Sequence, residues 1–191
     1  MRLFNRLLKR LITFAKLSFY HFLFALYLGF CLPVSHSVAM ADSMVEYQVK
    51  AAFIYNFIAF THWPDSTGQT INLCVYGEDY FGNEINKLES RSINKRHIKV
   101  IRIDNVEKLK ECQAIFFSKS VSKNLSNILV NLQNEPILTL ADTPNATSKG
   151  ITINMSLINE KIVFEINLAI ARESGLDISS KLLQLAVKVH Q

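Results

Sequence analysis

The sequence is poor in the residues that build special sites. Three cysteines among 191 residues exclude a disulfide-dense scaffold and a multi-cysteine metal knuckle. Six glycines and four prolines exclude collagen-like and low-complexity chains. Neither a dinucleotide fingerprint nor a Walker loop is present: after Gly77 the chain reads EDYFGNE. The Gly-x-Ser-x-Gly pattern of a nucleophile elbow is absent too. Beyond residue 41 the histidines are His62, His97 and His190, and none stands at metal-ligand spacing from a cysteine or carboxylate. No catalytic residue, metal site or cofactor is therefore expected.

Net charge is also missing where it matters. The formal charge of +5 is carried entirely by the N-terminal segment, where Arg2, Arg6, Lys9, Arg10 and Lys16 stand without one acidic residue. The rest of the chain balances, so the basic pI is no footprint for nucleic acid. After the basic residues come the apolar run LSFYHFLFALYLGFCLPV, 17–34, and SHSVAMADS with small residues at Ala39 and Ala41. That order predicts a secretory signal peptide over 1–41, cut after Ala41 or after Ala39. The competing reading is an uncleaved signal anchor, because the run is about long enough to span a bilayer. Bulky Phe30 before Cys31 disfavours lipidation. On either reading residues 42–191 are exported as a single domain.

What is abundant is apolar surface in short runs. KAAFIYNFIAFTHWP, 50–64, is too short between its polar flanks for a membrane span. It reads as a core helix from Met44 or Val45 to about Thr61, started by a capping box of Ser43 and Glu46. Its excess apolar face would serve a homodimer or partner surface. Pro64 ends it. INLCVYG (71–77), HIKVIRI (97–103), AIFFS (114–118) and PILTLAD (136–142) read as strands. Helices are expected over 78–88 and 122–133, with a short helix or turn over 106–111. GITINMSL (150–157) and KIVFEINL (161–168) read as an antiparallel hairpin. A last helix after Ser179 carries Leu182, Leu183, Leu185, Ala186 and Val189. The fold class predicted is an α/β sandwich: a mixed, mostly parallel sheet of five to six strands flanked by helices, with a C-terminal antiparallel hairpin and helix.

Two side-chain groupings invite a functional reading. The stretch 87–102 concentrates Lys87, Arg91, Lys95, Arg96, His97, Lys99 and Arg102, but no aromatic residues interleave, so a charged, solvated edge is the expectation. Ser179, Ser180 and Lys181 at the start of the last helix would favour an anion. His62 and Trp63 would add a donor and a stacking face if the first helix ends nearby; plain capping by Ser179 is the simpler account. Cys74 and Cys112 are an even pair in an oxidising compartment, which suggests one disulfide worth roughly 4 kcal/mol. Two buried thiols are the alternative.

These residues together resemble the YfiR-like family of periplasmic proteins. The resemblance rests on EYQVKAAFIYNFIAFTHWP, INLCVYGEDYFG, CQAIFFSKS, PILTLAD and KIVFEINLAIARESGLDISSKLLQLA. It implies a periplasmic, non-catalytic repressor that binds the periplasmic region of an inner-membrane diguanylate cyclase and lowers cyclic di-GMP, with implications for biofilm. An outer-membrane lipoprotein that sequesters the repressor is a second implied partner. Cys74 and Cys112 sit where a family disulfide occurs, while a further C-terminal pair found in some relatives is absent here. The alternative reading is a periplasmic small-ligand-binding sensory domain acting on a different membrane partner.

Overall fold

A computed structural model describes residues 38–93 and 95–191, with side chains from Met44 onward. The leader reading rests on residues outside that range except for 38–41, which begin the first helix. Ala41–Gln191 forms one compact unit.

The first helix, α1 (Val38–Ala59), is followed by β1 (Thr61–His62) and β2 (Thr70–Tyr76). Next come α2 (Asn83–Asn86), β3 (Ser92–Ile93), β4 (Arg96–Ile103), β5 (Ala114–Phe117), α3 (Leu125–Leu129) and β6 (Leu138–Ala141). The chain closes with β7 (Ile153–Ile158), β8 (Lys161–Asn167), α4 (Leu168–Glu173), β9 (Asp177–Ile178), α5 (Ser180–Leu183) and β10 (Lys188–His190). Eight strands form one sheet in the order β10-β8-β7-β6-β5-β2-β4-β3, and β1 pairs with β9 in a separate ribbon. From β4 through β2, β5 and β6 to β7 the neighbours are parallel. The β7–β8 and β3–β4 pairs are antiparallel. This is the mixed, mostly parallel α/β sandwich that the apolar runs predict.

Strand alternation divides the interior into two cores, because successive side chains leave a strand on opposite faces. Ile71, Leu73 and Val75 of β2, Ala114 and Phe116 of β5, and Leu138 and Leu140 of β6 join the core under α1. Cys74, Ile115, Phe117 and Ala141 join the core on the other face, with Leu125, Ile128 and Leu129 of α3. Both faces are covered, so these strands are apolar at nearly every position. The Cys74–Cys112 disulfide lies in the second core, with its Cα atoms 6.0 Å apart. It ties β2 to the segment that enters β5, and the thiol alternative is set aside.

Tyr47, Ala51, Ile54, Phe57 and Ile58 recur at helical spacing and are buried against the first core. Phe57 meets the edge of Phe164 at 4.9 Å. The Thr61 hydroxyl donates to the Phe57 carbonyl at 2.7 Å, satisfying an acceptor that the end of the helix leaves free.

The structure corrects the expected elements in four places. The sheet has eight strands, not five to six. The extra ones are the short edge strands β3 and β10, held by backbone pairing that two or three residues cannot signal in sequence. The last helix stops at Leu183. Leu185 and Val187 are exposed, and Lys188–His190 adds to β8 in parallel, since pairing along an open sheet edge satisfies more backbone groups than another helical turn there. Ser43 lies inside α1, not before it, because Ala39, Met40 and Ala41 favour the helix and carry it past the proposed capping box. Over 78–88 only Asn83–Asn86 is α-helical. Gly82, at φ 55°, holds a left-handed backbone conformation that interrupts the run.

The β7–β8 hairpin turns through Asn159 and Glu160, both at positive φ (48° and 61°). Two central residues with positive φ match the twist of the flanking strands.

Phe57→Asp is expected to abolish cooperative folding. A carboxylate in that unpaired apolar setting costs more than about 4 kcal/mol, comparable with a typical domain's whole stability. Phe57→Leu should fold with a loss under about 1.5 kcal/mol. Thermal unfolding by circular dichroism checks both, and a cooperative Phe57→Asp melt would contradict the core placement.

Candidate functional site

The parallel strands β2, β5 and β6 end together, at Tyr76, Phe117 and Ala141. Their C-terminal ends are where open α/β sheets form clefts. Gly77 follows β2 at φ 96°, and a Cβ there would lie 2.6 Å from the Ser120 oxygen. The bare glycine lets the two loops approach, and the Ser120 hydroxyl accepts from the Glu78 amide at 2.9 Å. Ser118 and Lys119 follow β5, and Asp142 follows β6. The middle turns of α1 bring Glu46, Tyr47 and Lys50 onto this end.

A polar cluster results. Lys50, in the apolar stripe of α1, has a side chain only 4% exposed. Its ammonium donates to Asp142 Oδ2 at 2.6 Å and pairs with Glu46. The Tyr47 hydroxyl donates to the same Oδ2 at 2.7 Å. The Asp142 side chain is 2% exposed, and Oδ1 is its one oxygen without a hydrogen-bond partner. Burial, then the bond to Asp142 and the nearby negative charges, pushes the Tyr47 hydroxyl well above its ordinary 10.0. Tyr80 stacks on Tyr47 with ring centroids 5.4 Å apart. Its hydroxyl is also raised, first by donating to Glu78. Lys119 lies over the Tyr80 ring at 4.5 Å. A cleft of about 280 Å³ opens here, lined by Glu46, Lys50, Lys119 and Asp142 together with Pro144 and Leu157.

The residues singled out from sequence lie at the opposite end of the sheet. His62 pairs with Asp177 in the β1–β9 ribbon, and the Ser179 amide donates to the Phe60 carbonyl at 2.9 Å. The end of α1 and the start of α5 therefore do adjoin. His62, Ser180 and Lys181 are exposed and Ser179 is half-buried. Trp63 is a correction: at 8% exposure it belongs to the core, and its indole N–H donates to the Gln113 carbonyl at 3.2 Å. An open stacking face is not what it presents. The Ser179 side chain makes no cap. In a four-residue helix the amides of Leu182 and Leu183 are already bonded to the Ser179 carbonyl, which leaves little to offer an anion.

Part of the basic stretch is engaged within the fold, while Lys95, His97 and Lys99 are exposed. Arg102 forks onto Asp79 at 2.8 Å, Asn86 at 2.9 Å and the Gly82 carbonyl at 3.0 Å. Lys87 pairs with Glu84, and Arg91 lies over Tyr55. Among the described residues no group of three His, Cys, Asp or Glu could hold a metal ion. No helix among them is long and apolar enough to cross a membrane.

Lys50 and Asp142 escaped sequence reading as a site. The available signal was a lysine at core spacing in an apolar helix and an aspartate directly after the buried strand LTLA. Nothing local joins two residues 92 positions apart.

Lys50→Met is expected to destabilise the fold by about 3–5 kcal/mol, because Asp142 is left buried and uncompensated. Adding Asp142→Leu should recover part of that loss, as read by urea unfolding. Tyr47 stabilises the fold while protonated, so its contribution is full below pH 10 and falls as pH rises further. Tyr47→Phe should cost about 1–3 kcal/mol at neutral pH and flatten the alkaline decline. An unchanged alkaline slope would contradict the Tyr47 account.

The family model described as YfiR/HmsC-like matches residues 47–187. Ten chains of solved structures match as well. One, a conserved domain protein from Vibrio cholerae, is 11% identical with a TM-score of 0.52, covering 75% of this chain and 60% of that one. Another, the ABC domain in complex with L-Trp from Streptococcus pneumoniae, is 11% identical with a TM-score of 0.49 and the same coverage. The chain thus spans about 60% of the length of these two structures. At such identity the first likeness shows the fold alone, and the second carries no argument. No curated protein matches.

Proposed function

The chain belongs to the YfiR/HmsC-like family, and from that premise we propose that it is a non-catalytic periplasmic regulator. It binds the periplasmic region of an inner-membrane diguanylate cyclase and holds that enzyme inactive, so that cyclic di-GMP stays low. An outer-membrane lipoprotein relieves the inhibition by sequestering it.

The observation that carries this reading is the extent of the family match, which runs through nearly the whole folded unit. Export rests on the basic, apolar and small-residue order of the first 41 residues. A disulfide between Cys74 and Cys112 fits an oxidising compartment. Met44, Val45 and Val49 on α1, with Leu185 and Val187 after α5, are exposed apolar residues of the kind a protein partner covers.

The mechanism is differential binding. A regulator inhibits by preferring the partner's inactive arrangement, and it shifts the equilibrium by no more than that preference. Turning a partner from about 1% to about 99% inactive takes roughly 10⁴-fold, or about 5.5 kcal/mol. A protein interface of ordinary size can supply this without bond-making chemistry.

Deleting the gene should raise cellular cyclic di-GMP several-fold, and affinity purification of the protein should bring down a membrane protein with a cyclase domain. An unchanged nucleotide level together with no cyclase recovered would overturn the regulator reading.

A further inference from the structure

A second cavity, of about 510 Å³, lies on the face of the sheet away from α1. Leu129 and Leu132, from α3 and the turn after it, line it together with Ile137 at the entry to β6 and Ile170 of α4. It shares no lining residue with the cleft at the strand C-terminal ends. Thr139 of β6 is the one buried polar residue that lines it, at 6% exposure. Its neighbours Leu138 and Leu140 point the other way, into the core under α1.

The Thr139 hydroxyl carries a proton with no acceptor. The amide of Thr152 donates to Thr139 Oγ1 at 2.9 Å, and the two threonine hydroxyls lie 3.0 Å apart. Among the described residues neither hydroxyl has another acceptor. Each brings a single proton and can accept twice, so one proton bridges the pair and the other goes unmet. A buried donor left unmet is costly. Thr152 is 0% exposed and sealed, whereas Thr139 borders the cavity, so the spare proton belongs on Thr139. Thr139 Oγ1 then accepts from both the amide and the hydroxyl of Thr152, and its own proton is free for whatever fills the cavity.

We propose that this cavity binds a small uncharged molecule with an aliphatic body and a carbonyl acceptor, the chemistry of a neutral fatty amide or ester. The carbonyl accepts from the Thr139 hydroxyl, and the hydrocarbon covers Leu129, Leu132, Ile137 and Ile170. A pure hydrocarbon would leave the Thr139 proton unmet. A charged head on this apolar floor would lose its hydration with no counter-ion beside it. At the rim the exposed Lys149 and Glu173 carry opposite signs, so the rim favours neither an anion nor a cation. About 510 Å³ lies within the range of about 300–1,000 Å³ typical of small-molecule sites. The site does not depend on which membrane protein is the partner.

Two-dimensional amide NMR of the purified protein tests this by titration with hexanamide, N-methylhexanamide and methyl hexanoate. Hexanoate and hexylamine serve as the charged counterparts. At least one neutral probe should saturably shift the amides of Leu132, Thr139, Gly150 and Ile170. Hexanoate and hexylamine should bind at least about tenfold more weakly than the best neutral probe, or not at all. Thr139→Val keeps the shape of the side chain and removes the donor, so it should weaken binding by about tenfold or more. Thr139→Ser keeps the donor and should stay within about threefold of the parent. If Thr139→Val does not fold, the location of the shifts and the charge preference of the parent protein still decide. Absence of saturable shifts from all three neutral probes at about 5 mM, shifts confined to other parts of the chain, binding of a charged counterpart as tight as the best neutral probe, or parental affinity in a folded Thr139→Val would each overturn the proposal. None of these outcomes bears on the cyclic di-GMP measurement, so this site and the regulator reading fail separately.

Discussion

Lys50 is carried into the interior by the same helical stripe that buries Tyr47, Ile54 and Phe57, and its charge has to be neutralised there. Asp142, at the end of a central strand, does so at 2.6 Å. Such a pair adds little net stability, because desolvation offsets most of the attraction. What it imposes is position. Sliding α1 by one turn would move the ammonium about 5.4 Å and strand both charges. The pair thus fixes how the helix lies along the sheet, and the packing of Phe57 on Phe164 follows from that placement.

The sheet makes the same demand from the other side. β2, β5 and β6 are covered on both faces and are apolar at most positions, while the buried Thr139 of β6 is hydrogen-bonded to the Thr152 hydroxyl. No charged residue lies within them, and the charges gather at the C-terminal ends, where Glu78, Lys119 and Asp142 stand beside Ser118. In these strands charge is confined to the rim because the covering layers leave it nowhere else. The disulfide holds the second face, where α3 is short and covers less of the sheet than α1 does.

Several elements are legible in the chain's own pattern. LCVY, AIFF and LTLA are runs of strand length, apolar but for Thr139, and they form three adjacent parallel strands. The spacing from Tyr47 to Ile58 marks a core helix, and the even cysteine pair favours a bridge. Legibility fails where pairing, not side-chain pattern, makes the element. Ser92–Ile93 and Lys188–His190 are strands only because β4 and β8 offer open edges. Trp63 reads as an accessible ring beside a proline, yet the chain folds it inward onto the Gln113 carbonyl.

Local periodicity was enough to specify the apolar helix, the central strands, the antiparallel hairpin, and the family resemblance spread along them. The charged cleft came from packing alone, because Lys50, Lys119 and Asp142 are far apart in the chain and meet only when the helix crosses the strand ends. Periodicity reports which face of an element is buried, since burial repeats with the backbone's own geometry. Which distant charge waits on the far side is a property of the packed layers, and no local spacing encodes it.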